Sequence, residues 1–312
     1  MAKILSIALN PAIDISSDAE AVQHTHKTRT HNQQQHAGGG GINVARVVQE
    51  LGGTCELVYL SGGDTGTLLE TMLSPLDMLQ HVVTIKDPVR VAYNVRDLST
   101  NVEYRFVPEG PLVSEAELAP VFDLLERTDA DYIVASGSLP RGAPADTYVR
   151  IAKIVADRRK RLVLDTSGPA LRTTLSSAKA FLIKPSLGEL QGFLGRELDH
   201  ATAGPAAQAL IRDGAADHIA VTLGADGAIL ASIDNLTHSP AIAVPVKSAV
   251  GAGDSFVAGM VWSLAEGRSV EEAFRMGQAA GAAAVMTPGT ELCRRADVMT
   301  LYGAQEAMTH NH

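Results

Sequence analysis

Along most of this 312-residue chain, short apolar runs alternate with longer stretches whose apolar positions recur every three or four residues. The first run, residues 4–9, stops at Asn10-Pro11 and reads as a buried strand. Residues 16–36 are polar, rich in Thr, Gln and His, and lack a helical period, which predicts extended strands or a flap outside the main core. The glycines Gly38 to Gly41 then lead into Ile42, Ala45, Val48 and Leu51, spaced as the buried face of a helix whose first turn carries Asn43. Residues 55–60, 81–85, 89–97 and 102–107 read as strands, with a helix through Met72 after the first of them.

Beyond Glu115 the alternation becomes regular. Helices are expected up to Glu126 and up to Arg158, strands over 132–135, 162–164 and 218–223, and two Ala/Gly-rich helices over 252–266 and 270–286. Strands separated by helices predict an α/β fold with a parallel sheet covered on both faces. No internal repeat or interdomain linker interrupts it. Segments that follow parallel strands gather on one edge of the sheet, where such sheets bind ligands. Asp14, Ser136-Gly137-Ser138 and Asp165-Thr166-Ser167-Gly168 are placed there, and Lys184, at a strand end with Glu189 opening the next helix, repeats the theme.

Composition narrows the partners. With 46% hydrophobic residues the chain can bury one large core. A net charge of −9 and a pI near 5.6, without basic runs interleaved with aromatics, argue against nucleic acid. The N-terminal apolar run is too brief for a signal peptide or a membrane span. Cys55 and Cys293 lie far apart without Cys-x-x-Cys spacing, so neither a disulfide framework nor a zinc site is implied and a cytoplasmic protein is expected. His24, His26, His31 and His36 have no carboxylate or cysteine among them, which disfavours a metal site, and the same holds for His310 and His312.

The densest chemistry lies in the stretch from Val246 to Gly259. Gly251, Ala252 and Gly253 are small enough for backbone N–H groups to face a ligand, and the apolar run after Asp254 reads as a helix opening there. A helix start concentrates unpaired N–H groups and partial positive charge, which suits a phosphate or a developing anion. Asp254 beside it either accepts a proton from an attacking hydroxyl or caps the helix with Ser255 in support. The earlier glycine cluster follows His36-Ala37, not an apolar strand, and lacks the Lys-Ser/Thr of a Walker A loop.

Three segments together, Gly38-Gly39-Gly40-Gly41-Ile42-Asn43-Val44-Ala45, Ser136-Gly137-Ser138-Leu139-Pro140 and Val250-Gly251-Ala252-Gly253-Asp254-Ser255, closely resemble the ribokinase-like (PfkB) carbohydrate kinases. The Tyr104-Arg105-Phe106-Val107-Pro108 and Gly289-Thr290-Glu291-Leu292-Cys293 segments resemble its bacterial 6-phosphofructokinase branch. The resemblance implies a three-layer α/β sandwich over residues 1–312 with a small β-sheet lid, about 13–36 and 89–107, that also serves as a dimer contact. It implies ATP-dependent phosphorylation of fructose 6-phosphate at C1, with tagatose 6-phosphate or fructose 1-phosphate as alternative acceptors. An idle sugar-phosphate sensor is the remote alternative.

On the same resemblance, Asp254 is the base and the Gly251, Ala252 and Gly253 amides form the anion hole. Asp14, Gly39 and Asn43 hold sugar hydroxyls, while Lys27, Arg90 and Arg105, with Ser138 nearby, hold the sugar phosphate. Two arginines and a lysine suit a dianion and would not be needed by a free sugar. Lys184, Thr222, Gly224 and Gly227 match the nucleotide site, Glu189 the magnesium-bound water, and Ser248, Val250, Thr287 and Gly289 a potassium site. Ser186 departs from the usual Asn after Lys-Pro, and Thr287 and Glu291 stand where relatives with a monovalent-cation site often have Asn and Arg.

Overall fold

The computed structural model describes residues 2–309, with side chains through Gln305. His310 and His312 lie outside the described residues. The chain runs through β1 (Ile4–Ala8), β2 (Ala12–Ala19), β3 (Thr30–Gly38), α1 (Gly40–Glu50), β4 (Cys55–Ser61), α2 (Gly63–Leu73), β5 (Gln80–Thr84), β6 (Arg90–Asp97) and β7 (Val102–Phe106). It continues through α3 (Glu115–Leu125), β8 (Tyr132–Ser136), α4 (Thr147–Asp157), β9 (Arg161–Asp165), α5 (Gly168–Leu175), β10 (Ala180–Ile183), α6 (Leu187–Leu194) and α7 (His200–Arg212). The last elements are β11 (Ala216–Thr222), β12 (Ala228–Ala231), β13 (Leu236–Ser239), α8 (Ala252–Ala265), α9 (Val270–Val285) and α10 (Arg295–Thr309).

Nine strands form one sheet in the order β13-β12-β11-β10-β9-β8-β1-β4-β5. From β11 to β5 every neighbour is parallel, and β12 and β13 extend it antiparallel. The strands are apolar on both faces because both are covered. Along β1, Ile4 and Ala8 pack toward α1, α8 and α9, while Leu5 and Ile7 pack toward α3, α4 and α7. The result is three layers.

Small residues let the helices approach. Gly41 lies so close to β1 that a Cβ there would fall 2.2 Å from the Ile7 carbonyl oxygen. Gly259 and Gly277 likewise let α8 and α9 approach each other closely. No helix of the described residues is long and apolar enough to cross a membrane.

The remaining four strands form a separate small sheet, β3-β2-β6-β7. It accounts for the polar stretch of residues 16–36. One expectation is corrected here. Asp14 is not a loop residue at the sheet edge, because the chain turns at Asn10-Pro11 and enters β2 at once, leaving Asp14 inside that strand opposite His36 of β3 and Ala92 of β6. The alternation of Ile13 and Ile15 around it is what makes the segment a strand: Ile13 is 1% exposed and joins the core, and Asp14 faces the other way.

Candidate active site

Asp254 occupies the first turn of α8. That helix begins at Ala252 with Gly251 as its N-cap, in the left-handed conformation (φ 74°), and no side chain caps it. The capping role weighed for Asp254 is therefore not the one it plays. Its Oδ2 instead accepts a hydrogen from Asn43 Nδ2 at 2.8 Å. Burial raises the Asp254 pKa above the usual carboxylate range, against the pull of Asn43, Lys184 and Arg105. A carboxylate so placed is a stronger base than one in water.

The Gly251, Ala252 and Gly253 amides stand at the helix start, where α-helix geometry leaves N–H groups without intrahelical acceptors. Lys184 lies against them, its Nζ 3.4 Å from where a Cβ on Gly253 would be. Far from being solvated, Lys184 is 5% exposed and pairs with Asp165 Oδ1 at 3.2 Å. Burial works against its charge, but Asp165, Glu189 and Asp254 outweigh it and raise its pKa. Burial pushes Asp165 up to about 6 despite Lys184, with Asp254 and Glu189 adding to the rise. Amides, an ammonium and carboxylates at one sheet edge form an arrangement that can take a transferring phosphoryl group.

Opposite this edge is a cavity of about 180 Å³ whose lining includes Asp14, Gly39, Asn43, Arg90, Arg105 and Asp254. Arg90 donates from Nη1 to the Pro108 carbonyl at 2.9 Å and from Nη2 to the Asn10 carbonyl at 2.8 Å, which fixes its guanidinium. Asn10 Nδ2 in turn donates to Ser138 Oγ at 3.0 Å, so Ser138 stands behind Arg90 through Asn10. Burial pushes Asp14 up to about 6, aided by Asp254 and opposed by Arg105, Arg90 and Arg46. Gly38 and Gly40 leave room for the two carboxylates: a Cβ on Gly38 would fall 2.0 Å from Asp14 Oδ2, and one on Gly40 3.1 Å from Asp254 Oδ1. Lys27 is not brought here; it is exposed in the connection between β2 and β3 and does not line the cavity.

On the other side, Thr222 ends β11 and donates its N–H to the Pro185 carbonyl at 3.0 Å. The turn that follows needs glycine twice: Gly224 has φ 63° and Gly227 φ 99°, and a Cβ on Gly227 would fall 2.1 Å from the Ser239 carbonyl oxygen. Glu189 and Ser186 close a capping box on α6, with Ser186 N–H donating to Glu189 Oε2 at 2.8 Å. Ser186 caps the helix, a role that asparagine would fill as well. Ser248 and Thr287 are both buried, 3% and 4% exposed, and Ser248 N–H reaches the Val285 carbonyl, which brings the two loops together. Val250 N–H donates to Ser248 Oγ at 3.2 Å, and Thr287 Oγ1 donates to the Glu291 carbonyl at 2.9 Å.

Arg46 and Asn94 are neighbours with no expected role, and Asp165, expected only at the ligand-facing edge, proves to be the partner of Lys184. Asp165 left a trace, since it ends β9 as Lys184 follows β10 and the two strands are adjacent. Arg46 and Asn94 left none.

The model of the pfkB family carbohydrate kinases matches residues 1–297. The chain is 39% identical to an ATP-dependent 6-phosphofructokinase isozyme 2 of Mycobacterium tuberculosis over 299 residues, covering 95% of this chain and 88% of that one. It is 30% identical to a 1-phosphofructokinase of Bacillus subtilis over 294 residues, 92% of this chain and 95% of that one. Among solved structures it superposes on phosphofructokinase-2 of Escherichia coli in complex with fructose-6-phosphate, with a TM-score of 0.92 at 31% identity over 98% of this chain and 100% of that one. The same enzyme in complex with potassium gives a TM-score of 0.93 at 32% identity with the same coverage. This chain belongs to the pfkB family of carbohydrate kinases.

Proposed function

We propose that the protein transfers the γ-phosphoryl group of ATP to the C1 hydroxyl of fructose 6-phosphate, giving fructose 1,6-bisphosphate and ADP. The observation that carries this reading is the Asp254 carboxylate, fixed by Asn43 beside the first-turn amides of α8 and facing a cavity that holds Arg90 and Arg105. Arg90 and Arg105 bind the 6-phosphate, with Lys27 as a further cation outside this cavity and Ser138 supporting Arg90 through Asn10. Asp14, Gly39 and Asn43 take the sugar hydroxyls. Asp254 accepts the C1 hydroxyl proton as the C1 oxygen bonds to phosphorus and the bond from phosphorus to the ADP oxygen breaks. The Gly251, Ala252 and Gly253 amides and Lys184 hold the charge on the transferring group.

Thr222, Gly224 and Gly227 form the turn that receives the nucleotide. Magnesium, when bound with ATP, supplies charge neutralisation at the phosphates. The donor set suits it: the capping box uses Glu189 Oε2, leaving the other oxygen for metal-bound water, and Asp165 stands nearby. Ser248, Val250, Thr287 and Gly289 would hold a potassium ion through backbone carbonyls, which a rise in activity on replacing sodium by potassium would support.

The small sheet acts as a lid on the sugar and as the contact of a homodimer. Its outer face carries Tyr93 opposite Phe106 and Val95 opposite Tyr104, and Tyr93 and Phe106 are 48% and 60% exposed. A second copy would bury that row. Phe106→Glu is expected to give monomers by light scattering. The two buried, unpaired cysteines suit a cytoplasmic setting.

Coupled assays with fructose 6-phosphate, tagatose 6-phosphate and fructose 1-phosphate test the substrate. The largest kcat/KM is expected for fructose 6-phosphate, and ³¹P NMR should place the new phosphate at C1. A much larger kcat/KM for fructose 1-phosphate would replace this reading with 1-phosphofructokinase activity.

A further inference from the structure

Asn94 carries a buried side-chain carbonyl oxygen that the protein itself does not satisfy. β2 and β6 pair in parallel with Ala12 beside Arg90, Asp14 beside Ala92 and Ser16 beside Asn94, and β7 sets Arg105 opposite Asn94. Residues paired across a ladder share a face of the sheet, so Asp14, Arg90, Asn94 and Arg105 stand on one surface, and all four line the sugar cavity. Asn94 is 6% exposed, and its Oδ1 is buried without a hydrogen-bond partner.

The side chains of polar neighbours on the same sheet find partners, although Arg90 Nε is likewise buried without one. Arg90 is fixed by the Asn10 and Pro108 carbonyls, and Asp18 accepts from Arg96 Nε at 3.0 Å and from Asn32 Nδ2 at 3.1 Å. Asn94 also lines a second cavity, of about 440 Å³, with Arg96 and Glu103 on its far side, so it stands in the partition between the two. An unmatched buried carbonyl oxygen costs stability. Such a breach of packing logic marks places where function sets the residue.

We propose that Asn94 is a specificity-determining residue of the acceptor site, hydrogen-bonding a ring hydroxyl of the sugar held between Asp14 and Arg105. The inference rests on the reading of this cavity as a phosphosugar site. A carboxamide both donates and accepts, which matches a hydroxyl, whereas the phosphate is matched by the arginines. Ala92, the small residue beside Asp14, leaves the space into which that hydroxyl projects.

The test uses Asn94→Leu and Asn94→Ala, with fructose 6-phosphate and its 3-deoxy and 4-deoxy analogues as acceptors. Both variants are expected to raise the fructose 6-phosphate KM about tenfold while the ATP KM stays within about twofold. The melting temperature of the ligand-free variants should be unchanged or higher, since an unmatched polar group is removed. Wild type should discriminate against one of the two deoxy analogues, and both variants should lose that discrimination. An unchanged sugar KM in the two variants, or full retention of the discrimination, overturns the role, as does a lower melting temperature with both KM values rising together. If wild type fails to phosphorylate fructose 6-phosphate, the substrate reading falls instead, and deoxy forms of the accepted sugar then decide for or against Asn94.

Discussion

Asn43 and Asp254 are joined by a 2.8 Å hydrogen bond that links the first turn of α1 to the first turn of α8 across 211 positions of sequence. The bond ties the glycine-rich entry to α1 to the first-turn amides of α8. It also orients the carboxylate, because Oδ2 is occupied and Oδ1 is left toward Gly40.

Asp254→Asn keeps the shape and removes the base. The kcat is expected to fall at least about a hundredfold, the scale of losing a general base, with the ATP KM nearly unchanged. Near-normal steady-state turnover by the variant would remove Asp254 from the mechanism.

Gly40→Ala probes the same carboxylate from outside. The added methyl would lie 2.2 Å from Ser136 Oγ and 3.1 Å from Asp254 Oδ1, so Ser136 must move and Asp254 must give slightly. The expected result is a lower kcat with a smaller change in sugar KM. Gly303→Ala is the control: on α10 its Cβ meets nothing within 4 Å. It should raise unfolding stability by up to about 1 kcal/mol in urea titrations with activity unchanged.

Arg90→Lys keeps the charge and loses the fork. One ammonium cannot reproduce donation to both the Pro108 and Asn10 carbonyls while facing a phosphate. The sugar-phosphate KM should rise about tenfold or more with little change for ATP. A rise confined to the ATP KM would assign Arg90 to the nucleotide.

Asp14 sets an acid limit. With its pKa pushed up to about 6, mainly by burial and then by Asp254, it protonates as the pH falls through that value and loses the charge that makes it a strong acceptor for sugar hydroxyls. The sugar KM should therefore climb below about pH 6, and Arg46→Met, which removes an opposing cation, should move that climb to higher pH. The stability sign follows from linkage. The folded pKa exceeds the unfolded value, so the ionised carboxylate destabilises the fold above about pH 6, and the cost vanishes as the pH falls toward about 4. Asp14→Asn should accordingly raise the ligand-free melting temperature more at about pH 7.5 than at about pH 4.5. Equal changes at both pH values would show that Asp14 is not strained by its charge.

Much of the fold was legible along the chain. The expected strands at 55–60, 132–135, 162–164 and 218–223 and the two Ala/Gly-rich helices differ from the observed ones by one or two residues at their ends. α7 and β13 were not anticipated, although Asp199 and Thr202 form a capping box that announces α7. The pattern of Gly251, Ala252, Gly253 and Asp254 marked the start of α8 with a carboxylate in its first turn, since both are local features.

Less legible was every relationship that depends on which strand lies beside which. Asp14 reads as a loop residue until β2 pairs with β6, and Lys184 reads only as a strand-end lysine until β10 lies against β9 and brings Asp165 to it. Asn94 carries no mark in its own segment; its place follows from a ladder with Ser16 and Arg105.

The sequence by itself determined the alternation of strands and helices, the glycine positions that permit close approach, and the residues able to carry charge, because each depends on neighbours within a turn or two. Only the tertiary structure decided that Asn43 reaches Asp254, that Lys184 is buried in a pair, and that Lys27 stands apart from the cavity of its own chain. The reason is that sheet register and helix packing are settled by contacts tens to hundreds of residues apart, and those contacts determine which polar groups lose water and which partner they meet.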